Sequence, residues 1–172
     1  MSIDEFENLS WMTEEMKTEI RRRNKIVKDQ DIESLFLLTD NGDFSIALNE
    51  ILNNRCDYKP DTLNPTERVL FLCMHLENAG QADTILNFLQ EDFPQYAVEA
   101  VSALKAIGAT KSAEIIRQAI ELLPEDGSWF FENANEDSQN LMGKLDSEFS
   151  SYPDGSMRDL YRKYAATHKS NL

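Results

Sequence analysis

Apolar side chains recur at helical spacing along nearly the whole chain, and no segment shows the apolar-polar alternation of a half-buried strand. Met12, Met16, Ile20 and Val27 recur at roughly one turn, and Thr13, Glu14 and Glu15 stand near their start, where a helix N-terminus favours capping and negative charge. Lys25 and Lys28 stand where the C-terminus favours positive charge, so the pattern predicts a first helix over about residues 12–28. A shorter one is expected over 32–38, stopping at the turn sequence Thr39-Asp40-Asn41-Gly42. Asp43 then reads as an N-cap for Phe44, Ile46, Ala47, Ile51 and Leu52. These periods predict an all-α protein, a single multi-helix domain of antiparallel helices.

Residues 53–63, with Pro60, read as a loop and as the boundary between an N-terminal helical segment, 1–55, and a main domain, 64–168. The main domain opens on Asn64-Pro65-Thr66-Glu67, in which Asn64 caps, Pro65 suits the first helical position and Glu67 reaches back as a capping-box carboxylate. Leu70, Cys73, Met74 and Glu77 lie on the following turns. Asn78-Ala79-Gly80 is expected to interrupt that helix, with Gly80 at positive φ and Asn78 bonding the turn, and residues 82–89 to resume it. Pro94 opens a helix through Ile107, Gly108 ends it as a left-handed C′ residue, and Thr110 caps the next, which carries Ala113, Ile116, Ala119, Ile120 and Leu123 and stops at Pro124. These two helices form a helical hairpin around Gly108. Leu141, Met142, Leu145 and Phe149 mark another helix, and Leu160, Tyr161, Tyr164 and Ala165 the last. Val69 and Phe71 fall off the main stripe of their helix, which calls for extra cover from either a homodimer or the N-terminal helices.

The charge is as uneven as the helical pattern is uniform. Across 172 residues, 31 Asp and Glu against 17 Lys and Arg give a net charge of -14. Between Arg68 and Lys105 there is no Lys or Arg, and between Arg117 and Lys144 there is again none. The basic residues collect toward the ends, in Arg21-Arg22-Arg23 with Lys25 and Lys28, and in Arg158, Arg162, Lys163 and Lys169. The triple arginine reads as the later half of an amphipathic helix with i to i+4 pairs such as Glu19 with Arg23. A field this negative repels nucleic acid and anionic membranes and attracts basic protein surfaces. The expected partner is therefore a basic protein, with no direct nucleic-acid or membrane binding.

No run approaches the roughly 20 apolar residues of a membrane span, and the opening Met1-Ser2-Ile3-Asp4-Glu5-Phe6-Glu7 has none of the features of a secretory signal. Cys56 and Cys73 suit reduced thiols better than a disulfide framework, so a cytoplasmic location is expected. The sequence holds no HExxH, CxxC pair, phosphate-binding glycine loop or nucleophile elbow. With His75 read as a packed core histidine and His168 near the C-terminus, no metal, cofactor or enzymatic activity is expected.

The second half carries a resemblance. The run Ala100-Val-Ser-Ala-Leu-Lys-Ala-Ile-Gly-Ala109, then Ala113 and Ile116-Arg-Gln-Ala119, then Leu145-Asp146 with Phe149 and Tyr152, and finally Leu160, Tyr164 and His168 resemble the bacterial DNA mimic protein family, otherwise catalogued as a domain of unknown function. The likeness spans about residues 64–168. In the family's Asn-Asn-Gly-Gly-Phe-x-Gln-aromatic-Phe-x-Asn segment, matched here by residues 77–87, this chain keeps only Asn78, Gly80 and Asn87. The resemblance implies an all-α fold that presents carboxylates spaced like duplex phosphates, so that a transcription factor or nucleoid protein docks on it in place of DNA. Carboxylates one helical turn apart lie about 5–6 Å from each other, comparable with phosphates that advance about 3.4 Å per step along one strand.

The candidate partner-binding residues are Glu91, Asp92, Glu121, Glu125, Asp126, Trp129, Glu132, Glu136 and Asp137, with Glu99 a further acid of the same surface. Pro124 separates Glu121 from Glu125, so their spacing is not that of one continuous helix. The bland alternative is a solvated acidic loop that maintains solubility. Trp129-Phe130-Phe131 reads either as an aromatic anchor rimmed by acids or as a loop folded back with at least two rings in the core. Two other functions compete with mimicry. One is an immunity or antitoxin-like protein neutralising a cationic effector through the aromatic loop, and the other a hydrolase with a carboxylate pair in a deep cleft.

Overall fold

The computed structural model describes residues 11–172, and residues 1–7, read above for a secretory signal, lie outside that range. The described residues are all-α and contain no strand. Helix α1 (Glu14–Asp29) begins where Thr13 accepts a hydrogen bond from the Met16 N–H and ends on Gln30 in the left-handed region, with Ile26 and Val27 buried. Asp31 caps the short α2 (Ile32–Leu35). Helix α3 (Asn41–Cys56) starts earlier than the pattern predicts: Asp40, not Asp43, is its cap, and the turn-like Asn41-Gly42 is its first turn. Asp43 is thereby free to pair with Arg23 at 2.9 Å, while Glu19 sits near Arg22 instead. The supposed loop 53–63 is helical up to Cys56 and contains a 3-10 turn, Pro60–Thr62.

Helix α4 (Pro65–Ala82) starts as its sequence demands: the Asn64 side chain accepts from Thr66 and Glu67 N–H groups, and the Glu67 carboxylate accepts from the Asn64 N–H. It then runs unbroken through Asn78-Ala79-Gly80. Gly80 is there for closeness, not for positive φ: a Cβ on it would lie 3.1 Å from Phe149 Cδ1 and 3.2 Å from Ile85 Cγ2. Gly80→Val is expected to destabilise the protein by about 1–3 kcal/mol through overpacking, visible as a lower urea midpoint. Phe71 is covered within the chain, by Phe93 edge-on at 5.5 Å and by His75 at 4.1 Å.

After α4 the chain makes a wide π-helical turn, Asn87–Asp92, closed by the Phe93 N–H on the Phe88 carbonyl at 3.1 Å, and a 3-10 turn, Pro94–Tyr96. Helices α5 (Ala97–Ile107) and α6 (Thr110–Glu121) form the expected hairpin around Gly108, whose φ is +91°. The cap of α6 is not Thr110, which lies inside the helix. Asp154, over forty residues away, accepts from the Lys111 N–H at 3.0 Å, the Ser112 N–H at 2.7 Å and the Ser112 hydroxyl at 2.8 Å. Burial would raise its pKa, but these bonds prevail and hold the carboxyl below its ordinary value. Asp154→Ala should cost about 1–2 kcal/mol, and Asp154→Asn, which keeps one acceptor, less; chemical denaturation compares the two.

Helix α7 (Phe130–Asn133) is a single turn, α8 (Glu136–Ser150) is capped by Asn135, and α9 (Met157–Thr167) by Ser156. Helix α4 touches α3, α5, α8 and α9 and is the axis of the fold. One continuous core joins Ile26 and Phe44 from the first helices to Leu72, Leu104, Ile116, Phe149 and Tyr161.

Candidate functional site

The acidic side chains occupy the two connections that flank the α5–α6 hairpin. Glu91 and Asp92 close the π turn; Glu125 and Asp126 follow α6; Glu132 lies on α7; Glu136 and Asp137 form the first turn of α8, where the helix dipole favours negative charge. All seven are exposed. Gln90 joins the two connections: its amide N–H donates to the Ser128 carbonyl at 2.9 Å, and its side-chain oxygen accepts from the Phe130 N–H at 2.9 Å. Segments almost forty residues apart in sequence are thus held together at Gln90, each carrying exposed acids. Among the described residues, none of the seven has a cation within ion-pairing distance. Asp126 accepts from the Ser128 hydroxyl and N–H, which lowers its pKa and keeps it charged.

Two further acids are neutralised. Glu121 pairs with Arg117, which also holds Glu114 at 2.6 Å. Glu99 pairs with Arg68 at 2.7 Å. The aromatic triplet divides: Phe130 is fully buried, Trp129 is half-buried against the core, and Phe131 is 50% exposed with its ring 6.2 Å from that of Trp129. Phe130 is thus the plug, and its two neighbours form an apolar spot amid carboxylates.

A protein-family model described as DMP19-like protein matches residues 61–168, the stretch that holds α4 to α9 and both acidic connections. The chain belongs to the DMP19-like protein family. The DMP19-like family is one of DNA mimic proteins, in keeping with the resemblance read from the sequence. No curated protein and no solved structure matches the chain. Helices α1 to α3 lie outside the DMP19-like match.

No described helix is long and apolar enough to cross a membrane, and no group of three or more His, Cys, Asp or Glu among the described residues is placed to hold a metal. His75 is packed as its apolar helix suggests, with Nε2 2.9 Å from Asn53 Oδ1 and its ring between Phe71, Tyr58 and Phe93. Cys56 and Cys73 are free and buried, and burial raises both thiols. Sequence reasoning missed Gln90, because a lone glutamine carries no signal of the backbone groups it joins. It also missed a polar cleft of about 270 Å³ between α3, α4 and α9.

Proposed function

We propose that this protein is a DNA mimic whose unpaired carboxylates, from Glu91 and Asp92 through Glu125, Asp126, Glu132, Glu136 and Asp137, occupy the DNA-binding surface of a basic regulatory or nucleoid protein in the cytoplasm. The observation that supports this reading is the joining of the two cation-free acidic connections by the Gln90 side chain. A mimic presents charge where the partner expects phosphate, and its fixed carboxylates spare the partner the cost of ordering them. The Glu121 carboxylate contributes less than the others because Arg117 already meets it.

The test is capture of basic proteins from a bacterial lysate at low salt, followed by elution with duplex DNA. The captured partner is expected to leave on DNA addition. Its affinity should fall at least roughly tenfold as salt rises to physiological strength, since screening acts on many exposed charges at once. The variant Glu91→Gln, Asp92→Asn, Glu132→Gln, Glu136→Gln should capture little. A partner that resists salt, ignores DNA and depends on Trp129 more than on any carboxylate would favour the immunity-like reading, for which the exposed Phe131 beside Trp129 is the supporting observation.

A further inference from the structure

None of the unpaired acids lines the cleft of about 270 Å³ between α3, α4 and α9. Its polar lining is unusual in being incompletely satisfied. Ser45 Oγ and Asn49 Oδ1, one helical turn apart on α3, are both shut off from solvent and have no hydrogen-bond partner. Buried polar atoms ordinarily find partners, and a Ser in a helix commonly returns its hydroxyl to the carbonyl four residues back. Both residues line the cleft, where rotation of either side chain would turn its polar atom toward a ligand.

The charges in the cleft limit what that ligand is. Arg158 enters from α9 with no ion-pair or hydrogen-bond partner among the described residues. Its Nη1 lies 3.0 Å from where a Cβ on Gly42 would sit, so the absence of a side chain there admits the guanidinium. Glu77 is the cleft's one carboxylate, and the Tyr161 hydroxyl donates to it at 2.8 Å. The Tyr152 hydroxyl faces the same carboxylate. Arg158 and Glu77 are the one cation and one anion of the lining, and Asp40 Oδ1 lies 2.8 Å from the same Gly42 Cβ position, which disfavours multiply charged anions such as nucleotides. The buried Asn49 Oδ1 lacks a donor, and the exposed Arg158 guanidinium has donors to offer at the cleft. Ile46 and Met74 supply an apolar wall.

We propose that this cleft binds a small zwitterion of the α-amino-acid type, with its carboxylate on Arg158 and its ammonium toward Asn49 Oδ1 and Glu77. Ser45 serves either group, because a hydroxyl both donates and accepts. The cleft draws on α3, outside the family match, as well as on α4 and α9 within it. It is therefore a property of the whole chain and stands independently of the acidic face.

The test is thermal unfolding and calorimetric titration of the full chain with the proteinogenic L-amino acids, each at millimolar concentration, against acetate, methylammonium and inorganic phosphate. At least one amino acid should raise the melting temperature saturably, while the single-charge probes and phosphate do not. Arg158→Gln and Asn49→Leu should each weaken that binding about tenfold or more, the scale of one charge-assisted hydrogen bond. Arg158 is exposed on its outer side, so Arg158→Gln should keep the ligand-free melting temperature; if Asn49→Leu fails to fold, Ser45→Ala replaces it. No response to any amino acid, an equal response to phosphate, or binding unchanged in both variants overturns the proposal.

Discussion

Phe130→Ala should lower the unfolding free energy by about 3–5 kcal/mol, a large part of the 5–15 kcal/mol typical of a domain. The ring is fully buried, stacked edge-on to Phe131 at 5.3 Å, and it is the point at which the acidic connection between α6 and α8 enters the core. Removing it leaves a cavity beneath a one-turn helix too short to hold itself. The Phe130 N–H bond to Gln90 should fray with it, and the two acidic segments should separate. Phe130→Leu keeps most of the volume and should lose roughly 1–2 kcal/mol. Urea unfolding measures both, and hydrogen exchange at the amides of residues 130–134 should accelerate selectively in Phe130→Ala. A loss below about 1 kcal/mol would show that the loop is not anchored by this ring. Because the carboxylates themselves are untouched, any fall in partner binding by this variant at a temperature where it remains folded reports the value of holding the acidic face in one arrangement.

Acidification should destabilise the protein through His75. Burial lowers its pKa from the ordinary 6.5 to about 4, with the nearby Asp92 only partly opposing this. Between those values the unfolded chain binds a proton that the folded chain refuses, so stability is complete above about pH 6.5 and falls as pH drops through 4. The difference, 6.5 less 4, amounts to about 2–3 kcal/mol after allowance for partial exposure of the ring. Carboxylate titration contributes its own slope in the same range, and the Asp154 cap also weakens as acid protonates it. Comparison with His75→Gln, which still donates to Asn53 Oδ1, isolates the imidazole: the difference in stability between the two proteins should close from pH 7 to pH 4. A difference independent of pH would mean that the imidazole titrates in the fold as it does in the unfolded chain.

Much of the helical framework is legible in the amino-acid order because its signals are local. The Asn64-Pro65-Thr66-Glu67 start and the Gly108 stop each depend on contacts within a few residues, and both appear as written. Where the local signal had two solutions, tertiary packing chose. Asp43 reads as the cap of α3, yet Asp40 caps it and Arg23 on α1 takes Asp43 as an ion-pair partner. Asn78-Ala79-Gly80 has the composition of a turn, yet the helix continues because Phe149 packs where a side chain at Gly80 would stand. Thr110 looks like a cap until Asp154 arrives from another part of the chain.

The candidate site divides in the same way. Its excess of negative charge and the absence of Lys and Arg between residues 118 and 143 are composition, and the sequence by itself determines them. Which acids remain unpaired is decided by geometry: Glu99 meets Arg68, while Glu91 and Asp92 meet no cation among the described residues. The cleft that holds Ser45, Asn49, Glu77 and Arg158 has no sequence signature, since its residues come from three helices and the connection before the last, up to 119 positions apart, 161 less 42. Helix formation follows from near-neighbour hydrogen bonds and periodic burial. A surface or a cleft depends on which helices meet, and only the packed core decides that.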